Sequence, residues 1–206
     1  MSRSSLAGLG GILFAVLTFV GSLIDSGPGG NYKASDVADY LKSGHRPVIF
    51  VAAYMSLLGI AALFFLLVWL RDAIADGMRS SVFWALSIAG AGTFIAGWAL
   101  HIAVPVAIGY GGKSVTVGPT VTYVIVEGGY IVLSAGAILL GLALLLLAFS
   151  RGPLPTWVRV ITGIGAIGAV TAPAFFPFGL FFLWALAIGI WLLVAKPGAP
   201  TAPAEA

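Results

Sequence analysis

Apolar positions in this chain fall into six blocks separated by short polar breaks: Leu6 to Ile24, Val48 to Leu70, Val82 to Ile108, Val121 to Phe149, Trp157 to Ala172 and Phe178 to Ala195. A helix needs about 20 apolar residues to cross the hydrocarbon layer. The blocks come close to that length, so the pattern predicts an all-α integral membrane protein, a bundle of six transmembrane helices. The last division rests on Pro173 and Pro177, because no charge interrupts residues 160–195. Proline lacks a backbone donor and clashes with the preceding turn. Pro173 to Pro177 therefore reads as a tight turn between two helices, with one long kinked helix as the alternative.

The longest break, Asp25 to Pro47, contains Ser35-Asp36-Val37-Ala38-Asp39-Tyr40-Leu41-Lys42. Ser35 or Asp36 suits a helix start, and Val37, Tyr40 and Leu41 share one face. A short external amphipathic helix is expected between the first and second spans, lying at the headgroups. Residues 1–196 then form a single transmembrane domain. The Pro/Ala-rich residues 197–206 have no apolar face to bury and are expected to form a disordered cytoplasmic tail.

Composition sharpens this picture. Of 206 residues, 60% are hydrophobic and 8% charged, and the mean hydropathy is +1.10, which excludes a water-soluble globule. The absence of cysteine excludes disulfides and thiolate chemistry. Ten Lys and Arg against seven acids leave a net charge of +3 without a basic cluster, so nucleic acid is not a partner and the lipid bilayer is. Arg3, Arg71, Arg79, Arg151, Arg159 and Lys196 fall on one side of the bundle, and Lys33, Lys42, Arg46 and Lys113 on the other. This asymmetry places both termini in the cytoplasm of a cell-membrane protein. The first block also has the charge pattern of a signal peptide, but it lacks an A-x-A cleavage site and reads as a retained span.

Small and polar stripes mark the faces along which membrane helices meet. Gly8, Gly11, Ala15, Thr18, Ser22 and Asp25 line one side of the first helix. Gly90, Thr93, Gly97 and His101 line the third, and Tyr123, Glu127, Tyr130, Ser134, Ala137 and Gly141 the fourth. At a rise of about 1.5 Å per residue, His101 lies about 28 Å from Val82 and Glu127 about 9 Å from Val121, both in the external half. Asp25 and Tyr54 reach the same depth. A polar layer of Asp25, Tyr54, His101, Glu127 and Tyr130, supported by Tyr123, is expected near the external face.

Ionisable groups inside a membrane are costly and face the bundle interior. Glu127 and His101 are expected to pair across the third and fourth helices, either as a clasp that fixes register or as a ligand-binding or proton-relay site. Gly163 to Gly168 matches G-x-G-x-x-G but sits inside an apolar helix, so it reads as a packing surface. No metal-ligand spacing occurs, and no cofactor motif is present. Three functions remain: a non-enzymatic accessory subunit or binder of a lipid-like or small amphipathic molecule, a small proton-coupled transporter using Glu127 and His101, and a membrane-embedded lipid hydrolase using Ser134, His101 and Glu127. The first is marked by an exposed apolar or small-residue groove. In the third, Ser134 lies two turns from Glu127, about 10 Å along the helix, a poor geometry for a triad.

The loop segment Ser35 to Leu41 with Arg46 before Ala53-Tyr54 resembles a family of six-span bacterial membrane proteins of unknown function. Trp69-Leu70-Arg71, Gly152, Leu154-Pro155 and Trp157, Phe175-Phe176-Pro177 and Leu183-Trp184 carry the same resemblance. It implies the six-span topology and no catalytic residue.

Overall fold

The computed structural model describes residues 2–25, 27–28, 30–150, 152–174, 176–195 and 197. The residues expected to form the tail lie, from 198 on, outside the described residues, as do Phe175, Arg151 and Lys196. All regular structure among the described residues is helical. We number the helices α1 (Arg3–Asp25), α2 (Ala34–Tyr40), α3 (Arg46–Asp72), α4 (Gly77–His101), α5 (Ala103–Gly111), α6 (Pro119–Ala148), α7 (Thr156–Val170) and α8 (Gly179–Ala195).

Helices α1, α3, α4 and α6 are long and apolar enough to cross a membrane. At 15 and 17 residues, α7 and α8 are shorter, about 22 and 26 Å along their axes. The proline-rich segment does separate them, with single turns at Ala172–Ala174 and Phe176–Phe178 between two antiparallel helices.

Local chemistry sets the helix starts. Ser2 accepts the backbone N–H of Ser5 at the start of α1, and Asp76 accepts those of Met78 and Arg79 at the start of α4. Pro119 opens α6 at a position where a missing N–H costs nothing. The start of α2 differs from expectation: Lys33 stands at the cap without a side-chain bond, and Asp36 lies inside the first turn, where its charge meets the helix dipole.

Six helices close a ring in the order α1, α3, α4, α6, α7, α8 and back to α1. Glycine sets the close approaches. A Cβ built on Gly8 would lie 2.7 Å from the Gly189 carbonyl, and one on Gly189 2.7 Å from the Gly8 carbonyl, so α1 and α8 meet backbone to backbone. Gly90, Gly97, Gly129 and Gly136 play the same part between α4 and α6. Gly165 and Gly168 of the G-x-G-x-x-G run seat Trp184 and the Pro177 carbonyl, which makes that run a packing surface. Phe14, Phe94, Phe178, Phe181 and Phe182 fill the middle of the ring, with Phe178 and Phe182 at 4.8 Å between centroids.

One stripe is re-registered. A π turn at Phe14–Thr18 holds an extra residue in α1. Beyond it the buried positions are Gly21 and Asp25, while Ser22 is exposed and donates to the Thr18 carbonyl at 2.8 Å. Gly21 is the residue seated against Ser56 of α3.

Candidate functional site

The ring has two chemically distinct ends. Arg71, Arg79 and Arg159 lie at one; Asp25, His101, Glu127 and α2 lie at the other, here called the loop-helix end.

His101 owes its place to a proline. Pro105 cannot donate to the carbonyl four residues back, which belongs to His101, and its ring would strike that carbonyl. The helix therefore breaks at Ile102, with φ −94° and ψ 3°, and restarts as α5. His101 is left as the last residue of α4, with a side chain 16% exposed.

Both ring nitrogens are engaged. Nδ1 lies 3.1 Å from the Val126 carbonyl of α6, and Nε2 lies 2.6 Å from Oδ2 of Asp25, whose side chain is 5% exposed. A carbonyl only accepts, so Nδ1 carries a hydrogen and donates it. The Nε2 to Oδ2 contact then holds one proton, as imidazolium donating to carboxylate or carboxylic acid donating to imidazole. Both arrangements leave the pair neutral, which is how it tolerates burial. Trp98 closes one side of the imidazole, edge-on with ring centroids 5.6 Å apart.

The chain leaving α1 covers the pair. A Cβ on Gly27 would lie 3.1 Å from Nε2 and 3.3 Å from Oδ2. Above it, α2 folds onto the end of the bundle. Val37 is fully buried and Tyr40 is 4% exposed, packed with Ile49 and Val126 and flanked by Leu41 and Ile102. Arg46 donates to the Leu41 carbonyl through Nε and Nη2 at 3.4 and 3.3 Å, fixing the end of α2. Burial, and then the charge of Asp25, push the Tyr40 phenol above its ordinary value. Its hydroxyl, like Oδ1 of Asp25, is buried without a hydrogen-bond partner among the described residues.

The structure redraws the expected polar layer. His101 pairs with Asp25, not Glu127, because its two nitrogens are already committed. Glu127 is half-buried one position past Val126, where its charge acts on His101 and Tyr130. Tyr54 leaves the layer: at 67% exposure it points outward from α3. Tyr123 donates to the Gly30 carbonyl and meets the Tyr32 ring at 5.3 Å, bracing the segment after α1. Tyr130 donates to the Ala172 carbonyl at 2.8 Å, tying α6 to the end of α7. Both His101 nitrogens are engaged elsewhere, and neither bonds Ser134. No group of three or more His, Asp or Glu side chains converges on a metal position among the described residues.

Tyr40 is the residue that sequence reasoning missed. Its place on the Val37, Tyr40, Leu41 face was visible, but nothing in the pattern told which helix that face would meet.

A second feature lies at the arginine end. Between α4 and α6, Leu86, Leu142, Leu145, Leu146 and Phe149 line a lateral apolar groove of about 560 Å³ with Arg79 at its edge. Arg79 also pairs with Asp76 at 3.5 Å.

Comparison with family models, with curated proteins and with solved structures gives no match to this chain.

Proposed function

We propose that this is a non-enzymatic, six-span cell-membrane protein, with both termini in the cytoplasm, that holds a lipid-like molecule in the groove between α4 and α6. The groove carries the reading: its volume and leucine lining suit an acyl chain, and Arg79 stands where an anionic headgroup would sit. The phenylalanine-filled ring supports a binder over a conduit. A partner membrane subunit seated along the same groove is the accessory form of this reading.

Native mass spectrometry from mild detergent tests it, comparing wild type with Leu142→Trp, which fills the groove. The expected result is a lipid mass on the wild type that is lost from the variant. Bare protein in both, or equal lipid in both, would overturn the reading.

The Asp25 to His101 contact favours a second reading, a small proton-coupled transporter in which Asp25 replaces Glu127 as the partner of His101. In proteoliposomes, Asp25→Asn should then abolish pH-dependent flux. Unchanged flux would remove it.

A further inference from the structure

The neutral Asp25 and His101 pair is incomplete. Its geometry uses Oδ2 of the carboxylate and both imidazole nitrogens, but Oδ1 has no partner among the described residues. A buried acceptor of this kind costs about 1 to 3 kcal/mol when left unmade, more if charged. The Tyr40 hydroxyl is another orphan at the same end, on a side chain packed against Val126, whose carbonyl holds the imidazole, and Trp98 Nε1, on the ring beside the imidazole, is a third. One unpartnered oxygen of the Asp25 carboxylate and the unpartnered Tyr40 oxygen, both buried, are the acceptors this end leaves open.

Removing the shared proton sharpens the demand. Val126 keeps the hydrogen on Nδ1, so deprotonation leaves a bare Nε2 lone pair facing a carboxylate at 2.6 Å. That repulsion, with a net negative charge in a dry setting, is relieved by a cation of about the size of a water molecule.

We propose that Asp25, His101 and Tyr40 form an occluded site that exchanges its proton for one small monovalent cation of the ammonium or alkali class. In the proton-bound state the Nε2 to Oδ2 bond holds the charge balance. In the cation-bound state the proton has left to bulk water, and the cation takes the Asp25 carboxylate and the Tyr40 oxygen as acceptors. One positive charge leaves as one enters. Tyr40 keeps its own proton throughout, because burial and the charge of Asp25 hold its phenol protonated.

The charged and titratable groups around the pair are few. Glu127 acts on His101 from α6, while Tyr123 and Tyr130 of the same helix donate to backbone carbonyls. On α2 and its exit, Asp39 and Lys42 pair at 2.5 Å on the exposed side, and His45 is exposed. Arg46 is committed to the Leu41 carbonyl. This inference deepens the proton-coupled reading by naming what the proton exchanges with. It concerns equilibrium binding, so loss of transport alone leaves it standing, and it is independent of the groove.

The test is proton release from weakly buffered, detergent-solubilised full-length protein, read with a pH indicator during titration with ammonium, sodium or potassium chloride. One of these salts should release about one proton per chain, choline chloride should release none, and Asp25→Asn should release none. Tyr40→Phe keeps the ring and removes the oxygen, so it should raise the half-saturating cation concentration about tenfold. Asp39→Asn, on the exposed side of α2, should behave as wild type. Absence of release with all three salts would overturn the proposal. So would release from Tyr40→Phe at the wild-type midpoint, a criterion that stands even if Asp25→Asn does not fold.

Discussion

A Cβ built on Gly129 of α6 would lie 2.5 Å from the backbone nitrogen of His101 and 2.6 Å from its Cα. Glycine at this position lets the two helices touch where the imidazole must reach Val126, three residues earlier on α6. Gly129→Ala is therefore expected to destabilise the bundle by about 1 to 3 kcal/mol through overpacking against main chain. It should also pull His101 away from Asp25. Gly128→Ala, whose new methyl would come no nearer than 3.9 Å to Leu100, is the matched control and should leave stability unchanged or raise it by up to about 1 kcal/mol. Thermal unfolding in detergent compares them.

Asp25→Asn and His101→Gln each leave one buried partner of the pair uncompensated. Each should cost about 3 to 5 kcal/mol. The double variant Asp25→Leu with His101→Leu removes both groups and should recover much of that loss. A double-mutant cycle in stability, with the single variants Asp25→Leu and His101→Leu as its other corners, checks this, and strict additivity would contradict a shared proton.

Tyr40 gives the protein an alkaline limit. Its phenol is held above the ordinary value of about 10. Docking of α2 is thus fully supported below that value and is lost as pH rises toward the folded-state value. Tyr40→Phe should abolish the alkaline release of α2 while leaving the set of freely titrating tyrosines undiminished. Hydrogen exchange across residues 34–41, with spectrophotometric tyrosinate titration, reads both.

Arg46→Ala removes the two donors on the Leu41 carbonyl. The loss is expected to be about 0.5 to 1 kcal/mol, confined to α2. Exchange protection should fall in residues 34–42 and stay unchanged in α7 and α8.

Much of the packing was legible in the sequence, and the reasons differ from helix to helix. The stripe on α4 named Gly90 and Gly97 correctly because a regular helix carries its face unchanged along its length. The stripe on α1 failed at Ser22 because the π turn added a residue that no composition signals. Tyr54 matched the depth of the polar layer but not its direction. It sits two positions from the buried Ser56, about 200° around α3. Depth can be counted from helical rise, whereas the partner of His101 depended on which helices became neighbours, and six apolar blocks leave that open. The α2 face was readable as a face, and its meeting with Val126 was not.

The atom that assigns the imidazole its hydrogen belongs to the main chain of residue 126. Any side chain that leaves α6 helical presents the same oxygen in the same place. Residue scanning at position 126 would report only the loss of apolar packing around Tyr40, while the proton inventory of the pair passed through every variant intact. The chemistry at this end of the bundle is thus written partly in peptide groups, where substitution has no letter to change.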